Sequence, residues 1–529
     1  MADALKRNVV SLPVVGTQSE FDARREVQST HTSELVIALC GPIGSQIHSV
    51  AETIQTSLVD IFGYDKCEKI RLSEIIREYS EFANIPEREI PPDEYGRIRK
   101  LIDLGDVLRQ RYGAGILAEI AISKIAFARE KERQETGDNI HRPRRVCHII
   151  DSIKNQEELE LLRAVYGDML YFVGVFSPTH VRQKNLEKRL QEENKPNKTY
   201  ELIDRDSGEE LPHGQTVRDT FPLADFFLRI ESETDAQIKT RVDRFLHLIL
   251  NTKVITPSYA EKAMYAAASA AGNSACLSRQ VGAALTDEKG EIISVGWNDV
   301  PKFGGDLYAA DPVNDPTGEK DKRCWNLEGG TCFNDQYKRI TAELVVNDLI
   351  SGGLLTNAKR EDAINRVISN ARLRNLIEFS RSIHAEMHAL ILGCQLGGSR
   401  VKDGKLFITT YPCHSCARHI VAAGVKDVYY IEPYRKSLAT TLHDDAITES
   451  EEQQGKVRIL PYDGVAPTKY LKLFKMVPES RKRNGKMPKF DLKKALPRFD
   501  KSLEAFPALE AMVVKGLKEK KLIPEDGNA

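Results

Sequence analysis

Apolar runs and helical stretches alternate along the first half of the chain. Leu35-Val36-Ile37-Ala38-Leu39-Cys40 is a continuous apolar run of strand length, the pattern of a strand buried on both faces. It runs into Gly41-Pro42-Ile43-Gly44-Ser45, and an apolar period of about 3.6 residues predicts a helix over 47–61. A second apolar strand, Val146 to Asp151, ends in an acid and is followed by a helix over 157–165. Tyr171 to Phe176 and Phe226 to Ile230 read as further strands, and a helix over 234–250 links the halves. Strands alternating with helices predict a parallel α/β sheet. The second half opens on an alanine-rich helix over 259–271. Two apolar runs follow, one to Asp287 and one from Ile292 to Asn298, joined at Glu288-Lys289-Gly290, which predicts a β-hairpin. Val425 to Ile431 is a later strand.

A length of 529 residues suits two to four domains. The pattern divides the chain into an arm over 1–32, an α/β domain over 33–250, a second domain over 255–477 with an insertion over 302–382, and a charged, partly helical or flexible tail over 478–529. A net charge of −1 gives no overall basic signature for nucleic acid. No apolar run is long enough to span a membrane, and residues 1–30 lack the apolar core of a signal peptide. Nine cysteines, an odd and scattered set, point to reduced thiols and a cytoplasmic protein. Within the insertion, helical periodicity runs over 337–349 and 361–379. Cys324 and Cys332 flank Gly329-Gly330; they either bind a second metal, with His388, or are buried free thiols.

The concentrated chemistry lies at His384-Ala385-Glu386 and Pro412-Cys413-His414-Ser415-Cys416. One imidazole and two thiolates offer three ligands to a tetrahedral Zn²⁺ and leave the fourth position to water. Glu386, two residues past the histidine, can reach that water without binding the metal. H-x-E followed by P-C-x-x-C is the signature of zinc nucleobase deaminases, with the glutamate as proton shuttle. A closed structural zinc site would need a fourth protein ligand and would leave Glu386 without a role.

The turn after the first strand is a degenerate P-loop. Gly41 and Gly44 fit the phosphate-cradling pattern, with Ser45 and Ser49 as hydroxyl candidates, but Gln46 and Ile47 stand where the last glycine and the lysine belong. It is read either as a nucleotide-sensing site for an effector or as a structural relic; without the lysine, phosphoryl transfer is disfavoured. Arg182, Lys184, Lys188 and Arg189 follow Pro178 where small kinases carry a lid, or else form a solvated helix face. Beyond the zinc motif, Tyr434, Arg435 and Lys436 sit at a strand end, where they could hold a base and a phosphate or form an ordinary surface loop.

The helix, the Val-Gly-Ala strand, the Gly-Trp-Asn strand end and the two zinc motifs together resemble the deoxycytidylate deaminases. The resemblance implies a cytidine deaminase-like α/β/α sandwich. It gives Asn298 a contact to the nucleotide sugar, with a turn cap as the alternative, and gives the Ala385 N–H a part in holding the pyrimidine. The order of a P-loop kinase-like domain followed by a deaminase domain, over roughly 33–477, resembles the bacterial antiviral deoxycytidylate deaminases of the AvcD type. That resemblance implies depletion of deoxycytidine nucleotides (dCMP or dCTP) during phage infection, restraint by a small RNA, and a homo-oligomer. The rival readings are a single-stranded DNA or RNA cytosine or adenosine deaminase, a nucleotide kinase with a regulatory zinc domain, and an RNA-binding sensor without catalysis. The missing lysine counts against the kinase, and the lack of an aromatic stacking platform counts against a polymer substrate.

Overall fold

Two six-stranded sheets, one founded in each half of the chain, carry the fold. The computed structural model describes residues 31–84, 90–137, 143–190, 195–208, 217–231, 235–370, 373, 376–433, 437–477, 480–482, 484–498 and 505–524. The first half runs β1 (Leu35–Cys40), α1 (Ile47–Asp60), β2 (Lys66–Arg71), α2 (Leu72–Glu78), α3 (Glu94–Tyr112), α4 (Ile116–Thr136), β3 (Val146–Asp151), α5 (Gln156–Tyr166), β4 (Leu170–Phe176), α6 (Thr179–Arg189), α7 (Lys195–Gly208), β5 (Phe226–Arg229) and α8 (Asp235–Ile249). The sheet order is β12-β5-β4-β1-β3-β2, and all neighbours except β12 are parallel. Every residue of β1 and β3 is buried, because helices cover both faces, and this is why β1 is continuously apolar and β3 is apolar except for His148 and Asp151. Edge strand β2, Lys-Cys-Glu-Lys-Ile-Arg, is only partly buried; its charges escape an apolar pattern and suit an unpaired edge.

The second half runs α9 (Tyr259–Ala271), β6 (Gly282–Thr286), β7 (Ile292–Trp297), α10 (Phe333–Ser351), α11 (Arg360–Ser369), α12 (Ala385–Gly397), β8 (Lys405–Thr410), α13 (His414–Ala422), β9 (Asp427–Glu432), β10 (Ile447–Thr448), β11 (Val457–Pro461), β12 (Gly464–Val465), α14 (Pro467–Phe474) and α15 (Ala505–Glu519). The second sheet is ordered β10-β11-β9-β8-β6-β7, with the predicted hairpin β6–β7 at one edge. Ala283 and Leu285 point to the side of α12 and α13, while Ala284 points to the side of α9, so the sheet is covered on both faces as an α/β/α sandwich. Gly296 sets the distance between α12 and β7. A β-carbon there would lie 2.4 Å from the Ala389 nitrogen and 2.5 Å from the Ala385 oxygen. Only a glycine lets the His-Ala-Glu helix rest this close on the hairpin.

Three expectations change. Gly464-Val465, expected to finish the second domain, instead adds an antiparallel edge strand to the first sheet, opposite Phe227 and Phe226. Buried polar groups impose this. Asp463 accepts the Arg229 N–H at 3.1 Å, and Glu261 accepts the Val465 N–H at 3.0 Å. Glu261 is itself held by Arg244, at 2.9 and 2.7 Å, and by the capping box with Ser258 at the start of α9. The second insertion helix ends at Ser369 rather than at Phe379. The charged C-terminal stretch carries α15, which docks on α4, with Phe506, Leu517, Leu522 and Ile523 buried. Among the described residues, no helix is long and apolar enough to cross a membrane.

Candidate functional site

The zinc motif is assembled from two helix starts. His384 is the residue before α12 and Cys413 the residue before α13, both in extended backbone conformation, so each projects its side chain from a helix N-terminus. Cys416 lies in the first turn of α13 and donates its backbone N–H to the Cys413 sulfur at 3.4 Å. The His384 Nδ1 is 3.4 Å from Cys413 Sγ and 3.3 Å from Cys416 Sγ. Metal bonds of about 2.0–2.3 Å place tetrahedral ligand atoms about 3.3–3.8 Å apart, and both His384–cysteine distances fall in that range. Among the described residues, only this trio brings three such ligand atoms within 4.8 Å of one another.

The three groups are electrostatically coupled. The Cys413 thiol is pulled down to about 4 by the neighbouring Cys416 thiol and by His384, even though burial opposes it. The two helix N-termini favour the same thiolate. Cys416 is pushed up by Cys413 and by burial. The Cys413 thiolate in turn raises His384 to about 9. Glu386, in the first turn of α12, is 4% exposed, and burial pushes its carboxyl up to about 7 against the pull of His384. A carboxyl near neutrality both takes and gives a proton with little penalty.

These groups form the floor of a cleft of about 330 Å³. Ala385 is fully buried there, and its N–H is one of the first-turn groups for which a helix supplies no acceptor. Asn298 lines the cleft, but its carboxamide is engaged in bracing the approach to β6. It accepts the Val281 N–H at 2.7 Å and donates to the Arg279 carbonyl at 2.8 Å. The turn-cap alternative thus describes its contacts in this structure, and a sugar contact would use the remaining lone pair or amide hydrogen. Tyr434 and Lys436 lie outside the described residues. The strand that leads to them does reach the cleft rim, where Glu432 accepts the Thr410 hydroxyl at 3.2 Å.

The second-metal expectation finds no support. His388 faces away from Cys324 and Cys332: its Nδ1 accepts the Trp297 N–H at 3.3 Å, its Nε2 lies 3.2 Å from Asp306, and its ring meets Trp297 edge-on at 4.8 Å. Cys324 and Cys332 instead line, with Cys276, a small cavity of about 20 Å³ that adjoins the cleft of His384 and Glu386. The P-loop-like turn stands at the end of β1 as expected. Gly44 and Ser45 line a cleft of about 550 Å³, and Gly41 receives a hydrogen bond from Lys154. Ser49 is not part of that lining; it sits within α1, where its carbonyl accepts the Thr53 hydroxyl at 2.8 Å.

Residues that the motif search missed come from the insertion. Asn334, Asp335 and Lys338 of α10 wall the zinc cleft, and Arg279 adds a second cation. A signal was present in the sequence. Asn334, Lys338, Ala342 and Val346 are the buried positions of α10, four residues apart, polar at the end that meets the cleft and apolar at the end that packs on α11.

Residues 257–432 match the family described as the cytidine and deoxycytidylate deaminase zinc-binding region. ComE operon protein 2 of Bacillus subtilis (strain 168) is 45% identical over 56 residues, 11% of this chain and 29% of that protein, so the chain spans under a third of its length. The deoxycytidylate deaminase of Enterobacteria phage T2 is 26% identical over 166 residues, 31% of this chain and 74% of that protein. The first half is similar to a UPF0200 protein of Saccharolobus islandicus (strain Y.G.57.14 / Yellowstone #1), 27% identical over 182 residues, 34% of this chain and 80% of that protein. Residues 257–432 thus match a cytidine and deoxycytidylate deaminase zinc-binding region, and within that stretch the His384, Cys413 and Cys416 side chains converge beside the buried Glu386.

Proposed function

We propose that the protein removes the 4-amino group of free deoxycytidine nucleotides, dCMP or dCTP, giving the uracil nucleotide and ammonia, with Zn²⁺ held by His384, Cys413 and Cys416. The convergence of these ligands beside a buried Glu386 carries the reading. A zinc ion bound there supplies a water of lowered pKa as nucleophile. Glu386 takes the proton of the attacking water, delivers it to the ring N3, and then serves the departing ammonia. The Ala385 N–H holds the pyrimidine. A free nucleotide is favoured over a polymer because α10 walls the cleft and places Lys338 there, 8% exposed, as a partner for a terminal phosphate. Tyr434 and Lys436 belong to the same reading as base and phosphate contacts.

The resemblance to the antiviral deoxycytidylate deaminases supports the wider proposal: a cytoplasmic homo-oligomer, restrained by a small RNA, that drains deoxycytidine nucleotides during phage infection. Its domains are 33–250 and 255–477.

Incubating the purified, zinc-loaded protein with dCMP, dCTP, CMP and cytosine-containing oligonucleotides tests the substrate class. Conversion of dCMP or dCTP alone is expected; conversion of the oligonucleotide alone would reverse the assignment. Cys413→Ala is expected to lose both bound zinc, measured by elemental analysis, and turnover. Lys338→Met is expected to raise KM for dCMP by about 10- to 100-fold, the worth of one charge-assisted hydrogen bond, and to leave KM for unphosphorylated deoxycytidine nearly unchanged. An equal rise for both would remove Lys338 from the phosphate site.

A further inference from the structure

The cleft above the first sheet shares no lining residue with the cleft of His384 and Glu386. It encloses about 550 Å³ between the Gly41–Ser45 turn, the junction of β2 with α2, and α3. Six cationic side chains line it (Arg71, Arg77, Arg97, Arg109, Lys154 and Arg189) against two carboxylates, Glu52 and Glu74. We propose that this cleft binds a mononucleotide without a metal ion, its phosphates on the Gly41–Ser45 turn and Lys154 supplying the cation that the turn lacks.

The turn is shaped for an anion. Gly44 has a φ of 83°, the left-handed conformation that lets successive N–H groups face one way. The Ser45 N–H is given to the Pro42 carbonyl at 3.1 Å, and the 14-residue α1 that follows has no side-chain cap at Gln46 and no acid in its first turn, so no side chain of the helix competes for its own first N–H groups. Ile47, at the lysine position, is 5% exposed and packed into the core, so it offers no charge. Lys154 comes from the other side, just past the end of β3, and its Nζ is 2.8 Å from the Gly41 carbonyl. It therefore stands at the turn although it is remote in sequence.

The same geometry argues against phosphoryl transfer. Asp151, where a metal-binding acid would be sought, has one oxygen 2.5 Å from the His48 Nδ1 and the other receiving the Ser152 hydroxyl at 2.9 Å. The opposite wall is braced. The Arg109 Nε donates to the buried Glu158 at 2.9 Å, and Arg97 and Arg189 share Glu94. Ile98, Leu101 and Ile102 add an apolar strip for a sugar and base, and the volume falls in the range of small-ligand sites.

The test is calorimetric titration of the full-length, zinc-loaded Glu386→Ala protein with ATP in magnesium-free buffer. Saturable binding at one ATP per chain is expected. Lys154→Met is expected to weaken it at least tenfold and Lys154→Arg to restore most of it, while Lys154→Met in the otherwise native chain leaves dCMP turnover unchanged. Should Lys154→Met fold poorly, Arg97→Met gives a second reading, with the same loss expected. No ATP binding, or binding indifferent to both substitutions, overturns the proposal. So does binding seen only with Mg²⁺, and so does inorganic tripolyphosphate binding as tightly as ATP, since a nucleotide site must gain from the apolar strip. The titration is read without turnover, so it stands or falls independently of deamination.

Discussion

Glu386→Ala is expected to lower turnover of dCMP or dCTP by about 10²- to 10⁴-fold, the usual worth of a positioned general acid–base, while zinc stays bound. The separation of the two effects follows from the site's layout. The candidate metal trio comes from His384 and the start of α13, whereas Glu386 lies in the first turn of α12 and is not one of the three. The carboxylate is 4% exposed and is held near neutrality by burial, so no solvent-borne base replaces it easily. Steady-state rates combined with zinc content by elemental analysis decide the matter. Retained turnover would refute the assignment, and joint loss of zinc would make Glu386 a ligand rather than a proton shuttle. Glu386→Gln, which keeps the volume, distinguishes lost chemistry from a collapsed pocket.

The largest effect on stability is expected at Arg129. This residue of α4 is 3% exposed and reaches two elements that are far apart in sequence. Its Nη1 donates to Glu34 at 2.6 Å, just ahead of β1, and its Nε and Nη2 bind Glu510 of α15 at 3.0 and 3.1 Å. Both carboxylates are 1% exposed. Arg129→Met leaves Glu510 buried without its bidentate partner and Glu34 with Arg144 alone, at 3.0 Å. Removing one partner of a buried ion pair costs about 3–5 kcal/mol, and urea denaturation would read that loss directly. The pH dependence has a definite sign. Burial pushes the Glu34 carboxyl up, but Arg129 and Arg144 together outweigh it and hold the group below the ordinary 4.5. A carboxyl depressed in the folded state contributes stability above its unfolded pKa and loses that contribution as pH falls through the folded value. The difference between wild type and Arg129→Met is therefore expected to shrink as the pH drops below about 4.5. A difference that stays constant into the acid range would show that Arg129 acts through packing alone.

Strands and helices that face a single environment were legible. β1 and β4 lie between helices and are apolar throughout, β3 is apolar except for His148 and its terminal Asp151, α9 is marked by its alanines, and β6–β7 by its turn. The zinc trio was legible because its ligands are few, are chemically distinctive and sit at fixed offsets from two helix starts. Asn298 was legible as a position beside the site, yet its carboxamide proves to be turned toward Val281 and Arg279. Elements whose burial depends on remote partners stayed hidden. Edge strand β2 is charged, α15 looks like a charged tail because Glu510 is neutralised by Arg129 from another element, and β12 is too short to carry a pattern.

The sequence by itself determined the parallel α/β order of the first half, the hairpin and helices of the second, and the helix starts that bring His384, Cys413 and Cys416 together beside Glu386, because each depends on contacts within a few residues or on one repeated environment. Only the tertiary structure decided that β12 crosses to the first sheet, that α10 brings Lys338 to the cleft of His384 and Glu386, and that Lys154 reaches the Gly41 carbonyl. Those placements rest on pairings across tens to hundreds of residues, where a buried charge or an unpaired strand edge chooses its partner by position in space, and local pattern carries no trace of that choice.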